Sequence, residues 1–328
     1  MKNSHTRRAV LGLLATTAAG FAAGQGAAGN YPAKPIRLIV PFAPAGPTDI
    51  AARIIARKLS ESLGQPVVIE NKAGAGGTVG SAEVARAAAD GYTLLYGSSS
   101  TLAVSPALYT NLGYDAAKAF APVSLVARGP QIIVINGSLP IADLKQFVDY
   151  AKKNPAALSY SSAGSGSVGH LAAELLINSL GIKAVHIPYK GGAPAINAVV
   201  AGETQFVIDA VGTTAPFVKA GRLRAIAVIS TTRTPFAPDI PTTQEAGYPP
   251  ISADFWSGIV APASTPQAVI DMLNKAIIEA LKKPDVEAQL KTLGSEPQGN
   301  SPGEFTRLIQ EESRKWADVV VKSGAKAE

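Results

Sequence analysis

Short unbroken runs of β-branched and apolar residues alternate with amphipathic stretches along most of the chain. IRLIV is followed by TDIAARIIARKLSESLG, then by PVVIEN, TVGSAEVARAAADG and YTLLYGS. In the longer stretches apolar residues recur at the i, i+3, i+4 spacing of a helix, so the alternation predicts βαβ units around a parallel sheet. The same grammar resumes at residue 131 with QIIVIN, a helix in ADLKQFVDYAKKN, the strand LSYSS, a helix in VGHLAAELLINSLG, then AVHIPY, a helix after Gly192, QFVIDA and LRAIAVIS. Two such series predict two α/β lobes, each a mostly parallel sheet flanked by helices.

The last part changes character. After the strand-like ISADFWSGIVAP come TPQAVIDMLNKAIIEALKK, PDVEAQLKTLG and SPGEFTRLIQEESRKWADVVVKSG, three helical patterns with few strands. Their apolar stripes need a partner, and folding back onto the first lobe buries them. The expected organisation is a discontinuous first lobe, residues 31–130 with 252–328, and a second lobe, residues 131–251. Trp256 and Trp316 are expected to pack structurally, Trp256 in the strand that returns to the first lobe.

The first thirty residues stand outside this pattern. Lys2, Arg7 and Arg8 precede the apolar run AVLGLLATTAAGFAAG, which is too short to span a bilayer comfortably, and small residues continue to Gly29. This reads as a secretory signal cleaved between Gly24 and Tyr31, placing the mature protein in the periplasm. The Arg7-Arg8 pair looks like a twin-arginine signal, although its flanks fit the general secretory route equally.

Composition narrows the chemistry. The 328 residues are 47% hydrophobic and 16% charged, enough for two cores, and the absence of cysteine excludes disulfides, thiolate metal sites and a cysteine nucleophile. The formal charge is +6, but three cations and no acid lie in the first thirty residues, leaving +3 on the mature chain. Scattered as they are, these charges argue against a nucleic-acid partner and suit an anionic small ligand.

The strand-to-helix junctions carry the candidate chemistry. In PFAPAGPTDIAARIIARKL, Pro44 and Pro47 preset a turn, Gly46 lets the backbone come close, and Thr48 is expected to cap a helix starting at Asp49. The free N–H groups and dipole of that first turn favour a carboxylate or phosphate. A tight turn alone would use the same residues. The device recurs, however, in KAGAGGTVG, YGSSSTLAVSP and YSSAGSGSVGH, and loops of this kind converge on a crevice outside the carboxyl ends of the strands.

Enzyme readings fare worse. Gly164, Gly166 and Gly169 spell G-x-G-x-x-G, yet HIPYKGG, about twenty residues on, supplies no acid to hold a ribose. No phosphate loop and no G-x-S-x-G elbow occurs. His170 and His186 are the only histidines of the mature chain and have no carboxylate at ligand spacing, so no metal and no cofactor is expected. His170, just inside a helix start, either caps or contacts a ligand carboxylate. Asp49 and Asp209 either hold their loops in shape or accept a proton from a ligand hydroxyl.

PFAPAGPTDIAAR, ENKAGAGGTVGSAEVARAAADGYTLLYGSSS, AGSGSVGHLAAELL, HIPYKGGAPAINAVVAGE, AGRLRAIAVIS, DIPTTQEAGYP, WSGIVAPASTP and EESRKWADVV closely resemble the Bug family, the extracytoplasmic solute receptors of tripartite tricarboxylate transporters. The likeness runs in order through essentially the whole mature chain. It implies a two-lobe periplasmic binding fold of the type II kind that closes on a small organic acid held by backbone amides and bridging waters. The expected ligand is a small or aromatic (di)carboxylate rather than an amino acid, since no clustered acids are evident to hold an ammonium. It further implies a monomer without catalysis that hands its ligand to membrane permease subunits. A ligand-sensing module docked to a signalling protein would use the same fold.

Carried onto this chain, the first-lobe contacts are Phe42, Ala45, Gly46, Pro47, Thr48 and Asp49, with Gly76 in the next loop and Ser98, Ser99 and Thr101 as companions. The second-lobe contacts are Ser162, Ala163, Gly164, Ser165, His170 and Asp209. Ala45 replaces the first of two adjacent glycines usual in the family, and its methyl is expected to narrow the carboxylate seat.

Overall fold

The computed structural model describes residues 31–154 and 158–325; the secretory signal expected in residues 1–30 lies outside the described residues. Two sheets organise the chain. The first has six strands in the order β11-β4-β10-β3-β1-β2, and the second has five in the order β7-β6-β8-β5-β9. Its opening strands are β1 (Ile36–Val40), β2 (Val67–Asn71) and β3 (Thr93–Ser98), joined by α1 (Pro47–Leu63) and α2 (Thr78–Ala85). β1 pairs in parallel with both neighbours, and four of its five residues are buried, as expected of a strand covered on both faces. After β3 the chain makes a π-helical turn over Ser100–Val104 and a short α3 (Ser105–Leu108) before β4 (Phe120–Gly129).

Only Pro130 separates β4 from β5 (Gln131–Asn136), which already belongs to the second sheet. Within that sheet β6 (Ser159–Ser162), β7 (Val185–Pro188) and β8 (Phe206–Ala210) form a second parallel set. They are linked through α4 (Leu144–Lys153), α5 (Val168–Leu180) and α6 (Gly192–Ala201), and α7 (Val211–Lys219) leads on to β9 (Leu223–Ile229). The chain then returns through residues 230–254 to β10 (Phe255–Pro262), which inserts between β3 and β4.

The first strand after each crossing, β5 in one sheet and β10 in the other, runs antiparallel to both neighbours. Both sheets are therefore mixed, while β4 and β9 keep the dominant direction of the parallel sets. The sequence pattern supplied the parallel units but not β4, α7 or the two-residue β11 (Glu296–Pro297), which pairs with β4.

The C-terminal helices α8 (Gln267–Leu281), α9 (Pro284–Thr292) and α10 (Pro302–Ser323) close the first sheet. α8 packs on β4 and α1, and α10 packs on β4 and also reaches α5 beneath the second sheet. A capping box starts α10: Ser301 accepts from Glu304 N while the Glu304 carboxylate accepts from Ser301 N at 2.8 Å. On α10, Phe305 and Trp316 are wholly buried, with Phe305 set edge-on to Trp256 of β10 at 5.7 Å between centroids. The Trp316 indole N–H donates to the Glu312 carboxylate at 3.1 Å. This helix thus joins the cores beneath the two sheets. Trp316→Ala should lower the unfolding free energy by about 3–5 kcal/mol, the cost of an aromatic cavity, checked by urea denaturation of the purified protein.

Candidate functional site

The carboxyl ends of β1, β3, β6 and β8 face one another across the cleft between the sheets. An enclosed cavity of about 40 Å³ lies there, room for roughly three water-sized groups at the 10–15 Å³ each requires. From the first sheet Phe42, Gly46, Pro47, Thr48 and Ser100 line it, with Phe255 at the start of β10. The second sheet contributes Gln131, Ala163, Ser167 and Gly169, and then Gly192 and Asp209 beside Val168, Ile208 and Ala210. No lysine or arginine is among these residues.

Helix starts take the place of cationic side chains. α1 begins at Pro47 with Gly46 as its N-cap, so the expected start at Asp49 capped by Thr48 gives way to a proline at the first helical position. α6 is capped by Gly191 and α7 by Ala210, and like α1 neither has a side-chain capping bond. In α5, Ser167 Oγ accepts from His170 N at 3.2 Å. Four helices therefore begin at the cavity, three of them without a side-chain cap, and their dipoles favour negative charge there.

The two sides touch at the cleft's edges. Val168 N donates to Ser100 Oγ at 3.0 Å, Ser105 Oγ to Gly166 O at 3.2 Å, Tyr109 Oη to Ser165 O at 2.9 Å and Ala43 N to Lys190 O at 3.1 Å. Gly76 sits at φ 61° with its Cα toward the Ser165 carbonyl, and any Cβ there would collide with that oxygen. Gly164, at φ 121°, faces Gly76 in turn. Gly164 and Gly166 thus serve contact between the two sides, whereas Gly169 lets α5 approach the Ile208 carbonyl of its own sheet.

Of the residues expected to bind ligand, Phe42, Gly46, Pro47, Thr48, Ala163 and Asp209 line the cavity. The others stand behind it as supports. Asp49 is buried, and its carboxylate accepts from Ala45 N at 3.0 Å, Arg53 Nε at 2.9 Å and Asn71 Nδ2 at 2.9 Å. Burial alone would raise its pKa, but these donors overcome it and hold the carboxyl below the usual carboxylate range. Its latch keeps Ala45 at φ 65°. Ala45 turns away from the cavity and lines a second space of about 280 Å³ between α1, α6 and α7, so its methyl does not narrow the carboxylate seat.

Ser98 N donates to Thr101 Oγ1 at 3.1 Å, and Ser99 Oγ accepts weakly from Trp256 N at 3.5 Å. These residues shape the π-helical turn that aims Ser100, the neighbour passed over in the sequence, across the cleft. Ser162 Oγ pairs with His186 Nε2 at 2.6 Å and accepts from Gly164 N at 3.1 Å. His170 Nδ1 accepts from Gly166 N at 3.2 Å, and its ring stacks on His186 with 4.0 Å between centroids. Ser165 meets Tyr109 through its backbone.

Gln131 and Ser167 had legible signals: a polar residue opening the apolar run QIIVIN, and a serine before a helix. Gly192 and Ile208 had none, because only the meeting of the two sheets brings their backbones to the cavity.

Burial, and for His170 also the neighbouring His186, pushes the imidazoles down, His170 to about 3 and His186 to about 4. In the unfolded chain both take up protons near pH 6.5, so the unfolded state binds more protons below that pH. Stability is therefore complete above pH 6.5 and falls as the pH drops. Protonation at Nδ1 also opposes the Gly166 N–H. Between pH 7 and 5 the unfolding free energy should fall by on the order of 2 kcal/mol from His170 alone, and His170→Gln should flatten that slope in urea denaturation at the two pH values.

With this geometry in view, comparison with known proteins is consistent throughout. Residues 51–325 match the model of the tripartite tricarboxylate transporter family receptor. Protein BugT of Bordetella pertussis (strain Tohama I) is 39% identical over 319 residues, covering 97% of each chain. The solved structure of periplasmic binding protein BugD is 37% identical with a TM-score of 0.87 over 91% of this chain and all of that one. Rpa4515 of R. palustris, solved with adipate, is 34% identical with a TM-score of 0.87 over 90% of this chain and 99% of that one. The chain belongs to the tripartite tricarboxylate transporter receptor family, whose members are periplasmic solute-binding proteins.

Proposed function

We propose that the mature protein, freed of its signal in the periplasm, captures a small organic carboxylate, aliphatic or aromatic, and delivers it as a monomer to the membrane permease subunits of a tripartite tricarboxylate-type transporter, without catalysis. One observation carries this reading: three helix starts without side-chain caps meet at a buried cavity that has no lysine or arginine in its wall. Aligned backbone N–H groups hold an anion strongly while releasing it without breaking an ion pair. The adipate held by Rpa4515 supports the same ligand class.

Residues 31–130 with 252–328 act as one lobe and residues 131–251 as the other, moving about the two crossings of the chain. Sheet membership supports that division. Closure brings Gly76 against Ser165 and seals the ligand from water, and the closed surface is what the permease reads.

Calorimetry and thermal shift of residues 31–328 against mono-, di- and tricarboxylates, aromatic acids and amino acids should find a carboxylate that raises stability by roughly 2.7 kcal/mol at a hundredfold excess over its dissociation constant. Silence from every carboxylate would overturn the reading. Gly76→Ala should weaken that ligand at least tenfold. Gly181→Ala, at φ 60° with no atom within 4 Å of the new Cβ, carries similar backbone strain and should leave the affinity unchanged.

A further inference from the structure

Two acceptors in the cavity wall, both beside the starts of α6 and α7, are left unused by the fold. Gln131, the first residue of β5, is only 4% exposed, and its Oε1 is buried without a hydrogen-bond partner among the described residues. A buried amide oxygen left in this state carries an unrecovered desolvation cost, which a donor from a ligand would remove.

Asp209 lies next to the end of β8, the strand that pairs with β5; Gln131 stands opposite Ala210 and Ile132 opposite Asp209. The two side chains therefore come to one cavity from opposite faces of the same sheet edge. Asp209 Oδ1 accepts from Ala210 N at 2.7 Å and from Thr213 Oγ1 at 3.1 Å, whereas Oδ2 receives no hydrogen bond among the described residues. Gly192 comes so close to Oδ2 that a Cβ would stand 2.7 Å away, so no side chain of α6 intervenes.

We infer that Gln131 and Asp209 form a donor-reading subsite beside the starts of α6 and α7, and that the cleft selects carboxylates that bring a hydroxyl, ammonium or other O–H or N–H group to it. This rests on the carboxylate reading above. Burial raises the pKa of Asp209 to about 6, so at pH 7 it is chiefly an acceptor. Sites that hydrogen-bond a ligand group reject the analogue lacking it far more strongly than apolar pockets reject a missing methylene.

The test is isothermal titration of residues 31–328 at pH 7 with straight-chain C3 to C6 acids, each paired with its hydroxy and amino derivatives, for example butyrate against 3-hydroxybutyrate. In the wild type the donor-bearing member of at least one pair should bind ten times or more tighter. Gln131→Leu and Asp209→Asn, both near in shape to the native residue and checked for an intact thermal transition, should each bring that ratio toward one. Equal affinity for both members of every pair that binds, or a ratio that survives both substitutions, overturns the subsite and leaves the carboxylate reading standing. If no acid in this panel binds but another carboxylate of the wider panel does, the subsite falls alone; silence from every carboxylate overturns both.

Discussion

The arrangement depends on helix starts that carry no side-chain cap. Gly46, Gly191 and Ala210 stand where helix starts usually carry serine, threonine or asparagine, and each leaves its first turn without a side-chain cap. One uncapped start at the surface would be solvated. Three around one buried cavity make an electrostatic demand that a bound anion meets. No lysine or arginine in the lining competes for that role.

The polar side chains near the cleft mostly hold loops. Asp49 ties Ala45, Arg53 and Asn71 together, His170 receives the Gly166 N–H, and Ser162 binds both Gly164 and His186. Each fixes the backbone of a loop at the cleft. Binding by backbone needs this support, since a loop that relaxed would turn its donors to water. The stacked His170 and His186, neutral at ordinary pH, do this without adding charge beside the anion seat.

Glycines decide how near the sheets come. Gly76 and Gly164 adopt positive φ and meet where any side chain would collide with the opposite backbone. Seen along the sequence they resemble phosphate-binding or hinge glycines; in the fold they are flat surfaces of contact. Gln131 and Asp209 each keep an acceptor that no described neighbour uses.

The periodicity of apolar residues determined the parallel sets β1–β3 and β6–β8, the helices between them and the three C-terminal helices, because burial of one face or both dictates spacing within a single segment. Turn chemistry marked the junctions, so Phe42, Gly46, Pro47, Thr48 and Asp209 were legible as residues of the cleft. Only the tertiary structure decided that β5 and β10 run against their neighbours, that Asp49 and His170 stand behind the cavity, and that Ser100, Gln131 and Gly192 line it. The reason is physical: a side chain's role at such a site depends on which atoms of a distant strand or helix already satisfy it, and that partner lies far along the chain, as between Ser99 and Trp256, separated by 157 positions.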